Sequence, residues 1–104
     1  MPIRRTTPEV SPLAAQLVEQ LVQELQAPHD DGADYPLIYE EQLPGNRRMH
    51  VTVVWDAWAN LDKGKRGGVI LDAYRQHAGP DATFSISLAM GLTRDEAERL
   101  QIAL

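Results

Sequence analysis

Apolar residues recur along this chain in two rhythms, one suited to helices and one to strands. Leu13, Leu17, Leu21 and Leu25 fall four apart, flanked by Ala14, Val18 and Val22, which predicts one buried stripe on an amphipathic helix. Ser11 as N-cap and Pro12 in the first turn suit its start, and Ala27-Pro28 its end. From Pro36 to Leu43 the pattern changes to alternation, with Leu37, Tyr39 and Leu43 set against Glu40 and Gln42. Pro44-Gly45-Asn46 is a turn, and Met49 to Trp55 returns as a second strand, so a hairpin is expected. In that second strand Met49, Val51, Val53 and Trp55 share one face, while His50, Thr52 and Val54 share the other.

Asp56 is placed to cap a short helix through Leu61, with Trp58 and Leu61 on one side. A glycine-rich basic turn, Gly64-Lys65-Arg66-Gly67, follows. Val69, Ile70, Ala73, Tyr74 and His77 then mark a second helix, stopped by Gly79-Pro80. Thr83 to Met90 alternates cleanly: Phe84, Ile86, Leu88 and Met90 are expected on a buried face, with Thr83, Ser85, Ser87 and Ala89 on a polar one. Thr93 and Glu96 spell a capping box, with Leu92 and Ala97 placed as a hydrophobic staple. The last helix is expected from Arg94 to about Leu104, packing through Ala97 and Leu100. The order α-β-β-α-α-β-α predicts an α+β two-layer sandwich, a three-stranded sheet with helices on one face. Residues 1–10 have no period and form a flexible arm in this reading; residues 11–104 form a single domain.

Length and composition narrow the function. A chain of 104 residues buries roughly two-thirds of its unfolded surface on folding. It has no cysteine, which excludes disulfides, thiolate zinc sites, cysteine-held iron–sulfur clusters and a cysteine nucleophile, and suits a reducing compartment. No apolar run approaches a membrane span and no secretory signal is read at the start, so a cytoplasmic location is expected. The net charge of −5 argues against a protein that coats nucleic acid indiscriminately. Its distribution is uneven. Every Asp, Glu, Lys or Arg between Thr6 and Asn46 is acidic, whereas Arg47, Arg48, Lys63, Lys65, Arg66 and Arg75 make the centre locally basic.

Few residues suggest chemistry. His29 to Asp34 (HDDGAD) offers an imidazole among carboxylates, but it lacks a second histidine and calcium-loop spacing, so a solvated loop is favoured over a metal site. His50 lies on the more polar strand face and His77 in the last turn of its helix, where the dipole favours a cation. Trp55 and Trp58 have the spacing to stack bases, yet their apolar neighbours assign them to the core. No Ser-His-Asp set, acid/base carboxylate pair, Walker loop or zinc-helix motif can be assembled, so neither an enzyme nor a cofactor is expected.

His50, Val51, Val53, Trp58, Arg66, Val69, Ile70 and Ala73 follow a pattern that resembles the BolA family, whose core topology is shared with type II KH domains. Leu92-Thr93-Arg94-Asp95-Glu96 is similar to that family's junction into its last helix. The resemblance implies the fold above and a protein partner of the monothiol glutaredoxin type. Two positions depart from it: Gly67 and Gly68 stand where the family has histidine and a basic residue, and Ser85 stands where it has a cluster-ligating histidine. A serine hydroxyl is a poor iron ligand, which weakens the expectation of iron–sulfur sharing. The KH comparison points elsewhere. Gly64-Lys65-Arg66-Gly67 has the spelling of the Gly-x-x-Gly loop that clamps a sugar-phosphate backbone, although Asp62-Lys63 replaces the apolar residues usual before it.

Two functions follow as expectations. The first is a small non-enzymatic regulatory module that binds single-stranded RNA or DNA through Lys63, Gly64, Lys65, Arg66, Gly67 and Gly68. The second is a BolA-like adaptor for another protein. A homodimer formed by strand addition along the third strand is a further possibility.

Overall fold

A computed structural model describes residues 12–28, 35–45 and 48–100 of the chain. The N-terminal arm, the Ser11 cap, the HDDGAD loop and the tail beyond Leu100 therefore lie outside the described residues. Helix α1 spans Pro12–Gln26, strand β1 Leu37–Gln42 and strand β2 Met49–Val54. A 3₁₀ turn at Asp56–Asn60 leads to helix α2, Lys63–Ala78. A second 3₁₀ turn at Pro80–Ser85 leads to strand β3, Ile86–Leu92, and helix α3, Arg94–Arg99, follows. The fold is α+β with the expected order. The sheet is mixed, β1-β2-β3, with β1 antiparallel and β3 parallel to β2.

The elements form where local chemistry favours them. In α1 the leucine stripe buries Leu17, Val18 and Leu21, with Leu13, Val22 and Leu25 packed beside them. The hairpin pairs Leu37 with Val54 through Gln42 with Met49, and Gly45 takes φ +69°, a backbone shape that glycine adopts without strain. Gly79, at φ +95°, ends α2 just before Pro80. The capping box is complete: the Glu96 backbone N–H donates to Thr93 Oγ1 at 3.2 Å, and the Thr93 N–H donates to Glu96 Oε1 at 2.8 Å. Asp56 does not cap its turn. Its Oδ1 instead accepts the Arg94 N–H at 3.0 Å, tying that turn to the start of α3.

The main core lies between the sheet and the pair α1 and α2. Val51, Val53, Trp58 and Ile70 are fully enclosed, and Trp55, Val69, Ala73 and Tyr74 surround them. Each such aliphatic side chain contributes about 1.5–3 kcal/mol relative to leaving it in water. The tryptophans meet edge to face, centroids 5.3 Å apart, as core residues.

Three features of the last third differ from expectation. Strand β3 begins at Ile86, because Pro80 to Ser85 form the 3₁₀ turn, and Phe84 is 76 % exposed. A bulge beside Met49 and His50 then reverses the alternation: Ile86 pairs with Met49, but Leu88 pairs with His50. An extra residue on one strand moves the following side chains to the opposite face. Ala89 and Gly91 consequently face α2, and Leu88 and Met90 turn to the other side of the sheet. Finally, α3 ends at Arg99 with Ala97 buried, while Leu100 is exposed and does not extend the packing.

Candidate functional site

The basic glycine stretch is not a loop. Lys63, Gly64, Lys65, Arg66, Gly67 and Gly68 form the opening of α2, and the link from the preceding 3₁₀ turn is only Leu61-Asp62. Lys63, Gly64, Lys65 and Gly68 are exposed, Gly67 is half-buried, and Arg66 is buried.

Arg66 points inward and each of its three guanidinium nitrogens donates a hydrogen bond. Nε donates to the Leu61 carbonyl at 3.0 Å and Nη2 to the Trp58 carbonyl at 2.9 Å. Nη1 donates to the Gly91 carbonyl at 3.2 Å and to Glu96 Oε1 at 2.6 Å. One side chain thus joins the 3₁₀ turn, the link, β3 and α3. A buried guanidinium is tolerable only with such a set of acceptors and a counter-charge. Trp58 completes the assembly by donating from Nε1 to the Val53 carbonyl at 3.0 Å.

Two glycines make room for this clamp. A Cβ on Gly67 would stand 2.9 Å from the Ala89 carbonyl oxygen. A Cβ on Gly91 would stand 2.8 Å from both Arg66 Cβ and Trp58 Cε2. Gly64 and Gly68 have open space around them. The same contacts occupy part of the outer edge of β3, since the carbonyls of Ala89 and Gly91 turn to α2. Strand addition there is left only the stretch before Ala89.

The clamp also changes the electrostatics expected of the site. Lys63 Nζ lies 3.3 Å from Glu96 Oε2, so Lys63 and Arg66 share one internal carboxylate. Arg75 pairs with Asp72 at 2.8 Å on the exposed side of α2. Among the described residues, Lys65 alone of these cations carries no ion pair. Glu96 therefore occupies the place an incoming phosphate would take. Its pKa falls from 4.5 to about 2, first because the Thr93 N–H donates to it and then through Arg66 and Lys63. A carboxylate with a lowered folded-state pKa stabilises the fold above its unfolded value and loses that contribution as pH falls through its folded value. Urea midpoints should therefore drop between pH 4.5 and pH 2, and Glu96→Gln should flatten that slope while lowering the neutral-pH midpoint.

The second surface feature is the sheet face away from α1 and α2. Cross-strand register arranges it in three rows: Leu37-Val54-Leu92, Tyr39-Thr52-Met90 and Glu41-His50-Leu88. Helix α3 covers the first row, where Val54 and Leu92 are buried against Ala97. The second row is half-buried, and in the third Leu88 is 47 % exposed. His50 thus sits half-buried between Glu41 and Leu88, on a face that is more apolar than its strand alone suggests. Sequence reading missed this apolar face because the bulge was not legible.

His77 lies exposed in the last turn of α2, and Ser85 ends the second 3₁₀ turn. Among the described residues no cluster of three or more histidines and carboxylates could hold a metal ion, and no helix is long and apolar enough to cross a membrane. Comparison with family models, curated proteins and solved structures finds no match to this chain.

Proposed function

We propose that this protein is a non-enzymatic adaptor that docks an amphipathic helix of another protein on the open face of its sheet. The observation that carries the reading is the outward placement of Leu88 and Met90 beside Tyr39, on a face that α3 covers at one end only. A sheet that is apolar on both faces is stable in a layered domain when a second layer lies against each. Here the six residues of α3 supply a fraction of one. A helix laid beside α3 would bury Tyr39, Met90 and Leu88 while its polar rim met Glu41 and His50. The net charge of −5 favours basic residues on that rim.

The nucleic-acid reading draws less support from the geometry. Of the residues expected to meet phosphate, Arg66 and Gly67 are committed to packing and Lys63 to Glu96. Gly64, Lys65 and Gly68 would have to carry it alone, and one unpaired lysine contributes little to backbone affinity.

A photo-crosslinking residue at Thr52, in the middle of the open face, tests the proposal against the same residue at Gln76 on the exposed side of α2. The expected result is an adduct from Thr52 that maps to an amphipathic helix of one protein, disappears with Leu88→Asp, and is not formed from Gln76. An adduct from Gln76 only, a crosslink to RNA, a crosslink between two copies of this chain, or no adduct from Thr52 would each overturn it.

A further inference from the structure

The sheet order leaves β1 at an edge, and the hairpin ladder fixes which of its backbone groups point away from the domain. The Leu43 N–H donates to the Arg48 carbonyl at 3.1 Å, so these two form one of the hydrogen-bonded pairs of the antiparallel ladder. The register then runs without a break from Gln42 and Met49 to Leu37 and Val54. Leu37, Tyr39 and Glu41 therefore turn their N–H and carbonyl groups to β2, while Ile38, Glu40 and Gln42 turn theirs outward. No bulge, proline or lysine interrupts this edge, in contrast to the bulged β3. Among the described residues no further strand pairs with it.

The side chains along the edge say what would pair there. Leu37, Ile38 and Tyr39 are half-buried, and Glu40, Glu41 and Gln42 are exposed. Glu40 lies on the helix-bearing face, opposite Val51, and Glu41 on the open face, opposite His50. The edge thus carries one carboxylate on each side. Glu40 accepts from the Tyr74 hydroxyl, and an ionised carboxylate keeps acceptor sites for a second partner. At the other end of the strand, the close of α1 and the start of β1 enclose a pocket of about 230 Å³, with Pro28, Pro36 and Ile38 as its apolar wall and Glu24 beside them. That volume is below the usual range for a free small molecule and suits one side chain of an added strand.

The geometry points to the β1 edge as a docking site for an extended, basic segment of a partner protein, added to the sheet as a fourth strand. Ladder bonds to Ile38, Glu40 and Gln42 would supply affinity whatever the sequence, as in other strand additions. Lysine or arginine on either face of the added strand would meet Glu40 or Glu41, and a side chain beside Ile38 would fill the pocket. A charge turned toward the covered face of an edge strand ordinarily guards it against apolar strands. Here it also selects, because a basic strand gains where an acidic or apolar one loses. A second copy of this chain would bring four glutamates onto a six-residue ladder, which like-charge repulsion disfavours. The edge is distinct from the sheet face on which helix docking is proposed, and neither reading depends on the other.

Amide NMR titration of the full chain tests the assignment with the basic peptide acetyl-TKVKVT-amide. Its controls are the acidic counterpart acetyl-TEVEVT-amide and the basic peptide N-methylated at every residue, which keeps the charge and cannot donate. At millimolar concentration the basic peptide should shift the outward amides of Ile38, Glu40 and Gln42 more than the inward ones of Tyr39 and Glu41. The two controls should leave all of these unchanged. Replacing both carboxylates (Glu40→Gln with Glu41→Gln) should weaken the basic peptide by roughly three- to tenfold, the worth of two exposed ion pairs. Equal shifts with either control, shifts confined to residues 63–68, unchanged binding in the double variant, or no shift with the basic peptide would each overturn the assignment. Movement of the same alternate amides when the protein alone is diluted would also overturn it, by giving the edge to a second copy.

Discussion

Arg66→Ala should bring the protein close to unfolding at room temperature, with a loss of about 3–5 kcal/mol in denaturant titration. That is the usual cost of removing one partner from a buried ion pair. A domain of this size has about 5–15 kcal/mol in total. The substitution leaves the carbonyls of Leu61 and Gly91 without the guanidinium, leaves the Trp58 carbonyl with the Leu61 N–H alone, and separates Glu96 from its closest cation. Arg66→Lys should recover little, because one ammonium cannot span acceptors that the planar guanidinium meets from three nitrogens. Lys65→Ala, one residue away and exposed, should change stability by less than about 0.5 kcal/mol. The contrast between neighbours separates a structural arginine from a pair of surface cations.

Gly91→Ala should be the next most damaging substitution, at about 2–3 kcal/mol, the upper part of the range for overpacking a core. The new methyl would press on Arg66 Cβ and the Trp58 ring, both held by their hydrogen bonds. Neither can move without releasing the clamp. The glycines of α2 provide the internal control. Gly64→Ala and Gly68→Ala meet open space and should stabilise the helix by roughly 0.5–1 kcal/mol each, the ordinary gain of alanine over glycine. Gly67→Ala would gain the same propensity but push on the Ala89 carbonyl, so the net effect should be destabilising. Thermal or chemical denaturation of the four variants gives the order directly.

The parts of the structure visible in the sequence are those set by near neighbours along the chain. The leucine stripe of α1, the Pro44-Gly45 corner, the Gly79-Pro80 stop and the Thr93–Glu96 capping box are all local, and each stands where the pattern predicts. What the pattern hides is long-range. Arg66 finds its acceptors at residues 58, 61, 91 and 96, and nothing within four residues of it announces them. The Gly-x-x-Gly spelling therefore read as open backbone, when one glycine is spent on close packing and the other is a bystander. Gly91 held the missing signal: a glycine inside a strand marks the close approach of another element. The bulge had no local signature, so the alternation from Phe84 to Met90 assigned Leu88 and Met90 to the core. Their outward placement is what redirects the functional reading from the basic stretch to the sheet.

That redirection depends on Arg66 being held inside the protein, and hydrogen exchange at its side chain measures this directly. The Arg66 Nε–H should exchange as slowly as the backbone amides of Val51 and Val53 and keep its chemical shift when a single-stranded oligonucleotide is added at low salt. An Nε–H that exchanges as fast as that of the exposed Arg75, and moves on adding the oligonucleotide, would contradict the account and restore the basic stretch as the binding site.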